Sequence, residues 1–210
     1  MCRNIIDSIP NVESSELKQK HITHSPNFTN WLQSLLENHI PTSLFKPIGF
    51  NIDEKSVNKS HKFWNRPHIN SNWRLNRSLP NGKFSQHLDA RYVKSIDEVS
   101  MFTILIYLST HEDGCLHVDG KIINPVIGRV VIFDQALLHH ATANTENKYL
   151  MRSEILYHRE VGIKTDKDDL AMNMYNEAKL LNFTNSNQAE EMESSAFEMS
   201  PSLENIILDV

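Results

Sequence analysis

The sequence has little of what marks secreted or membrane proteins. It contains only two cysteines, Cys2 and Cys115, which are too few for a disulfide framework. No apolar run approaches the roughly 20 residues that a membrane-spanning helix needs. The N-terminal stretch is too short and too polar for a signal peptide. We therefore expect no membrane segment and a reducing, cytoplasmic compartment.

Positive charge is also scarce. Lysine and arginine number 21 against 26 acidic residues, so the formal net charge is -5, and no basic block or stripe is present. This balance excludes a nucleic-acid binder that depends on contacts to phosphates. A hydrophobic fraction of 40% and a charged fraction of 22% are typical of a chain with one buried core. We therefore predict a single domain over residues 1–210.

Apolar periodicity divides this domain into three parts. Residues 1–43 comprise a loosely held polar leader over residues 1–24 and a helix that begins with Pro26 behind Ser25. Residues 44–160 hold many short apolar or β-branched runs between turn signals, which is typical of an antiparallel barrel or jelly roll. Residues 161–210 are acidic and helical. They start with a capping-box pattern, and the apolar residues expected on one buried face of the first helix are Leu170, Met174, Ala178 and Leu181. The predicted fold is mainly β with flanking helices around a double-stranded β-helix (jelly-roll) core.

Three His-x-Asp motifs offer metal ligands. Residues i and i+2 of a strand point to the same face, so one short strand can present an imidazole and a carboxylate to one metal ion. The motifs are His87-Leu-Asp89, His111-Glu-Asp113 and His117-Val-Asp119. The second lies in a polar turn, where a solvated loop is the better interpretation. The third is close enough to His139 that a shared metal would be cramped. The first is preferred, since the chain between it and His139 is long enough for about four short strands.

Two adjacent histidines, His139 and His140, follow an apolar run. Neighbouring residues of a strand point to opposite faces, so only one of them is expected to reach a metal ion, and the residues alone leave the choice open. Lys148 begins another strand-like run and offers a cation that would hold a carboxylate. Two histidines and one carboxylate form the ligand set of non-haem ferrous oxygenases. The alternatives are hydrogen-bonded structural histidines and a solvated lysine.

Several segments, in this order, resemble the 2-oxoglutarate- and Fe(II)-dependent dioxygenases, specifically the prolyl 4-hydroxylase-like branch. The matching segments are 84–89, 104–108, 114–116, 125–133, 137–139 and 148–157. In that family the distal histidine follows a pair of apolar residues, which favours His139 over His140. The resemblance thus implies that His87, Asp89 and His139 bind Fe(II) and are catalytic.

The resemblance also implies the co-substrate and the residues that hold it. Such an enzyme uses O2 and 2-oxoglutarate to hydroxylate its substrate and releases succinate and CO2, with ascorbate as a candidate reductant. Lys148 takes the position of the basic residue that pairs with the distal carboxylate of 2-oxoglutarate. Tyr107 matches a tyrosine that often hydrogen-bonds this carboxylate. Arg152 shares a strand face with Lys148 and is either a second carboxylate contact or part of a rim salt bridge.

The substrate is expected to be a peptide, with prolyl hydroxylation resting on analogy alone, or a small molecule. The family usually has two glycines where this chain has Gly114-Cys115. It often has a glycine before the lysine, where Glu146-Asn147 stand here. These departures affect the loops that admit substrate. Two other functions fit the same fold, namely a non-enzymatic jelly-roll binding or assembly protein and a cupin-type metalloenzyme, which normally brings more histidines to one site.

Overall fold

The structure, a computed structural model, describes residues 14–15, 18–47, 61–159, 165–182 and 185–207. In chain order its elements are β1 (Ser14–Ser15), β2 (Lys18–His24), α1 (Pro26–Leu36), β3 (Ser43–Pro47), β4 (His61–Ile69), β5 (Asn72–Ser78), β6 (Phe84–His87), β7 (Val93–Ser95), β8 (Glu98–Tyr107), β9 (Leu116–Val118), β10 (Lys121–Ile123), β11 (Val130–Asp134), β12 (His139–Ala141), β13 (Lys148–Arg159), α2 (Asp166–Leu181), α3 (Ser186–Met199) and α4 (Pro201–Ile207).

The described residues belong to two compact units. The first takes its residues from 1–40, 68–90 and 100–156, and the second from 41–67, 91–99 and 157–210. The division of the chain into leader, core and C-terminal extension within a single domain stays a prediction.

The first unit contains two β-sheets. The larger has the strand order β1-β2-β5-β13-β8-β11, and the smaller has the order β10-β9-β12-β6. The pairs β2–β5, β5–β13, β8–β11, β9–β12 and β6–β12 are antiparallel. Apolar side chains from both sheets form one buried cluster: Leu105, Tyr107, Leu116, Val118, Val131 and Phe133. This arrangement is a double-stranded β-helix, so the predicted fold class is confirmed.

Helix α1 begins at the predicted residue and covers part of the larger sheet. Proline occupies its first turn, where the missing N–H is no loss. The Trp73 indole on β5 is fully buried and donates to Thr29 Oγ1 at 2.9 Å. The rings of Phe28 and Trp73 pack in a T-shaped arrangement, with the centroids 5.3 Å apart.

Part of the predicted leader belongs to this sheet. Residues 18–24 form β2, which is antiparallel to β5 from Lys18 opposite Ser78 to His24 opposite Asn72. The expectation of a loosely held leader is wrong for these residues, because seven backbone positions are paired with β5. The rest of the leader, apart from β1, lies outside the described residues.

The second unit contains helices α2, α3 and α4, the antiparallel pair β3–β4 and the pairing of β7 with the start of β8. The predicted capping box at the start of α2 is present, with Asp168 Oδ2 accepting from the Thr165 backbone N–H at 2.8 Å. The predicted apolar face of α2 is partly wrong, since Leu170 is 52% exposed. The buried side chains of α2 are instead Ala171, Met172, Tyr175 and Ala178.

No helix in the described ranges combines the length and the apolar character that a bilayer crossing requires.

Candidate active site

A cavity of about 260 Å³ lies between the two sheets of the first unit. Side chains at alternate positions of β8 and of β13 face it, as period-two strands require. Its polar lining residues are Lys20, Arg74, Asn76, His87, Asp89, Thr103, Tyr107, His139, His140, Lys148 and Arg152. All six residues that the sequence singled out therefore line one cavity.

Strand pairing brings the two predicted histidines together. His87 ends β6 and His139 begins β12, and the two are direct partners in the antiparallel register. Their ring centroids lie 4.3 Å apart. Asp89 follows β6 by two residues, and its carboxylate oxygens lie 3.7 Å from His87 Nε2 and 3.6 Å from His139 Nε2. The ligand atoms of the three side chains all lie within 4.8 Å of one another.

Backbone carbonyls orient both imidazoles. His87 Nδ1 lies 2.7 Å from Ser85 O, and His139 Nδ1 lies 2.9 Å from Leu137 O. A carbonyl oxygen only accepts, so each Nδ1 carries a proton, and in the neutral ring Nε2 keeps its lone pair. Burial lowers the pKa of His139, which favours its neutral form. Both Nε2 atoms are thus prepared to bind a metal ion, in the manner that hydrogen-bonded histidine ligands usually show.

Two further side chains hold the carboxylate of Asp89. Thr103 Oγ1 donates to Asp89 Oδ2, and Arg152 Nη2 lies 2.8 Å from Asp89 Oδ1. The Asp89 side chain is only 3% exposed, so these contacts offset the free-energy cost of burying its charge. Lone pairs on both oxygens remain for a metal ion, because an ionised carboxylate accepts at about four positions.

The spacing of the three ligand groups fits an octahedral ion. Two neighbouring ligands at bond lengths of about 2.1 Å are about 3 Å apart. The observed separations of 3.6 and 3.7 Å between imidazole nitrogens and carboxylate oxygens need only a small contraction to reach this value. The donor set of two imidazoles and one carboxylate, with its remaining side facing the cavity, suits non-haem Fe(II).

Lys148 supplies a buried cation to the same cavity. Lys148 is only 3% exposed, and its Nζ donates to Gly114 O at 2.7 Å. No carboxylate within the described ranges makes a salt bridge with it, and burial lowers its pKa. An ammonium has three N–H donors, so Lys148 can also bind an anion in the cavity. Such an anion would offset the cost of burying this charge.

Gly114 makes room for Lys148. Its φ is +64°, and a Cβ at this position would lie 2.9 Å from Lys148 Nζ and 3.1 Å from Asn144 Cβ. The position therefore needs glycine for two reasons, the left-handed backbone and the close approach of the lysine. Cys115, the departure from the family pattern noted in the sequence, does not affect either requirement.

Tyr107 lines the cavity from β8 and is 2% exposed. Burial raises the pKa of its phenol to about 12. The hydroxyl stays protonated at neutral pH, so it is available as a hydrogen-bond donor to an anion in the cavity.

The rival histidines contact each other rather than Asp89, although His140 also lines the cavity. His140, next to His139 on β12, stacks on the ring of His117 with centroids 4.4 Å apart and an interplanar angle of 14°. Asp119 is exposed in the turn after β9, with a φ of +50°. Among the described residues, the metal-binding group that includes His139 contains neither His117 nor His140.

Sequence reasoning missed several side chains of the cavity. Lys20 lies in the segment read as a leader, and Arg74 and Thr103 belong to no motif. Arg152 forms an ion pair with Asp89, a contact that neither sequence reading of Arg152 named. Strand alternation places Arg152 on the face of Lys148, but only the fold shows that Asp89 lies opposite it.

No family model matches the chain, and neither does any curated protein. Solved structures do resemble it. An oxidoreductase of the 2OG-Fe(II) oxygenase family from Burkholderia pseudomallei is 15% identical, covering 73% of this chain and 74% of its own, with a TM-score of 0.43. The viral collagen prolyl hydroxylase of Paramecium bursaria Chlorella virus-1, in a 2OG complex, is 13% identical. The match covers 74% of this chain and 88% of the viral protein, with a TM-score of 0.46. A Pseudomonas putida prolyl-4-hydroxylase is 14% identical. The match covers 76% of this chain and 82% of the Pseudomonas protein, also with a TM-score of 0.46. Likeness at this level assigns no function to the chain and no role to any of its residues.

Proposed function

We propose that this protein is an Fe(II)- and 2-oxoglutarate-dependent oxygenase that hydroxylates a peptide or a small molecule and releases succinate and CO2. The observation that carries the proposal is the meeting of His87, Asp89 and His139 in one cavity, with the Nδ1 of both histidines already bound to carbonyls. A jelly roll with a purely structural role does not require this arrangement of metal ligands.

In this proposal His87 Nε2, His139 Nε2 and one oxygen of Asp89 hold the metal ion. Bound Fe(II) would supply the oxidising chemistry, with O2 as oxidant and 2-oxoglutarate as the electron donor that loses CO2. The protein keeps the remaining side of the metal site open toward the cavity. Thr103 and Arg152 keep the carboxylate in place, so little reorganisation accompanies metal binding.

Lys148 and Tyr107 would bind the distal carboxylate of 2-oxoglutarate. Support comes from the buried ammonium, which Gly114 O satisfies only in part, and from the protonated phenol in the same cavity. Arg152 is four positions after Lys148 on β13, a distance of about 13 Å along the strand. The long lysine side chain and a linear dicarboxylate together can span this distance to the metal site. The additional contact of Arg152 with 2-oxoglutarate stays a prediction.

The alternatives are less well supported by the site. A cupin-type metalloenzyme normally offers more histidines, whereas the described group at this position has two. A non-enzymatic binding protein would not need carbonyl-oriented imidazoles beside a buried carboxylate. Ascorbate remains a candidate reductant, and prolyl hydroxylation remains one candidate reaction.

Succinate formation tests the proposal. Purified protein, prepared without oxygen and given Fe(II), should convert 2-oxoglutarate to succinate when air is admitted, and more quickly with an accepted substrate. Manganese or zinc in place of iron should not support the reaction. Absence of iron-dependent succinate, together with no binding of 2-oxoglutarate in anaerobic equilibrium dialysis with Fe(II), would refute the proposal.

A further inference from the structure

A second groove adjoins the cavity and is rich in positive charge. Its volume is about 230 Å³, and its lining residues are Lys18, Gln19, Lys20, Asn76, Arg77, Ser78, Phe84, Lys148 and Leu150. Four of these nine described side chains are cations. Five of them, including Lys20 and Lys148, also line the cavity. The groove is therefore continuous with the candidate active site.

Strand register explains this concentration of lysines. Lys18 on β2 lies opposite Ser78 on β5, and Ser78 lies opposite Lys148 on β13. Lys18 and Lys148 are thus two strand spacings apart, about 10 Å. Lys20 lies two residues further along β2, so its side chain is on the same face as that of Lys18. The ammonium of Lys18 sits 3.9 Å from the ring centroid of Phe84, a cation–π contact that holds it over the groove.

This local charge opposes the charge of the whole chain. The formal net charge is -5, yet four of the nine described residues that line the groove are cations. A cleft lined by one sign of charge focuses the field and raises the local concentration of oppositely charged ligands. The groove therefore favours an anion, while the negative charge elsewhere disfavours a long polyanion such as a nucleic acid.

The size of the cavity indicates how large the anionic ligand of the groove is. At about 260 Å³ it is smaller than the roughly 300–1,000 Å³ of typical small-molecule pockets. With 2-oxoglutarate bound between the metal ligands and Lys148, little of this volume is left for a second molecule. A substrate must then extend beyond the cavity, and the groove is the adjoining space.

We propose that the groove binds the carboxylates of an acidic peptide, whose neighbouring residue is thereby presented to the metal site. This inference rests on the proposed function and adds the class of substrate to it. Lys18 and Lys20 provide the charge, and Phe84 forms the wall between groove and cavity. A span of about 10 Å between Lys18 and Lys148 accommodates several residues of an extended peptide rather than one small anion.

Fluorescence anisotropy of labelled peptides tests this proposal on the full chain with Fe(II) under anaerobic conditions. The probes are a short peptide alternating glutamate and alanine and a matched peptide with glutamine in place of glutamate. We expect the glutamate peptide to bind about tenfold more tightly, an advantage lost at high salt. The double variant Lys18→Gln/Lys20→Gln should weaken its binding about tenfold, and Lys18→Arg/Lys20→Arg should retain it. Both variants should keep the thermal midpoint of the parent.

Lys121→Gln/Lys167→Gln is the matched control. It removes two exposed lysines outside the groove and should leave peptide binding unchanged. Equal binding of both peptides, or no effect of Lys18→Gln/Lys20→Gln, would overturn the inference. Displacement of the peptide by 2-oxoglutarate would also overturn it, because the groove would then serve the co-substrate. Tighter binding of a single-stranded oligonucleotide would overturn it in favour of nucleic acid.

The result that would refute the proposed function differs from the results that would refute the peptide groove. If Fe(II) and 2-oxoglutarate give no succinate while the glutamate peptide still binds through Lys18 and Lys20, the groove is a binding site without the proposed chemistry. If succinate forms while the peptides show no preference, only the substrate class is wrong.

Discussion

The two ends of the cavity differ in how the protein satisfies their polar groups. At the end with the candidate metal ligands, both imidazoles donate to carbonyls, and Asp89 accepts from Thr103 and Arg152. At the other end, the buried Lys148 ammonium donates to the neutral carbonyl of Gly114, and within the described ranges no carboxylate makes a salt bridge with it. The first end is already organised by the protein. The second holds a buried charge that an anionic ligand would balance, so the two ends should respond differently to mutation.

The largest effect is expected from a metal ligand. His139→Ala should reduce iron-dependent succinate formation to background and lower the iron bound per chain, because one of three ligands is lost. The same result is expected for His87→Ala and Asp89→Ala. His140→Ala is the matched control and should retain its iron, since the His140 ring stacks on His117 and is outside the ligand group. Retained turnover in His139→Ala with loss in His140→Ala would exchange the two roles.

Lys148→Ala should weaken the binding of 2-oxoglutarate rather than the binding of iron. Removing one partner of a buried charge pair costs about 2 kcal/mol or more, so the 2-oxoglutarate requirement should rise about 30-fold or more. Iron content, measured by metal analysis of anaerobically prepared protein, should be largely kept. Lys121→Ala serves as a surface control. An unchanged 2-oxoglutarate requirement would transfer the role of Lys148 to Arg152.

Arg152→Gln separates the two ends most sharply. Because Arg152 contacts Asp89 at 2.8 Å, the variant should weaken iron binding about tenfold with a smaller effect on the 2-oxoglutarate requirement. Arg152→Lys, which keeps the charge, should recover part of the affinity. Titration of the protein with Fe(II) under anaerobic conditions measures the first effect. The opposite pattern, with normal iron affinity and a raised 2-oxoglutarate requirement, would make Arg152 a co-substrate contact.

The smallest effect is expected at Gly114, and Gly120 is its matched control. Both have φ near +65°, but a Cβ at Gly120 would meet nothing within 4 Å. Replacement by alanine should destabilise the fold by about 1–2 kcal/mol in each case, from left-handed backbone strain. Only Gly114→Ala should also raise the 2-oxoglutarate requirement, since its Cβ displaces the Lys148 ammonium. Denaturant unfolding and succinate assays together make this distinction, and a similar kinetic effect of Gly120→Ala would contradict it.

The metal-binding end was more accessible to sequence reasoning than the rest of the cavity. A His-x-Asp motif on a short strand and a later histidine can be read from local spacing, because strand geometry fixes the direction of neighbouring side chains. The choice of His139 over His140 needed the family resemblance. Lys20 could not be found in this way, because its segment has no strong periodicity and its position depends on pairing with a distant strand.

The helices also show that local sequence patterns do not specify tertiary contacts. The capping box of α2 is a local pattern within four residues, and it is present as predicted. The buried face of α2 depends on which neighbours pack against it, and Leu170, expected to be buried, is 52% exposed.

The sequence by itself determined the mainly antiparallel fold, the starts of α1 and α2 and the candidate ligand motif, because turn chemistry, capping and strand alternation act over a few residues. Only the tertiary structure decided that His139 faces Asp89 while His140 stacks on His117, that Arg152 pairs with Asp89, and that lysines of β2 line a groove beside Lys148. These contacts join residues far apart in the chain, and the register between strands, which no local pattern specifies, sets which side chains meet.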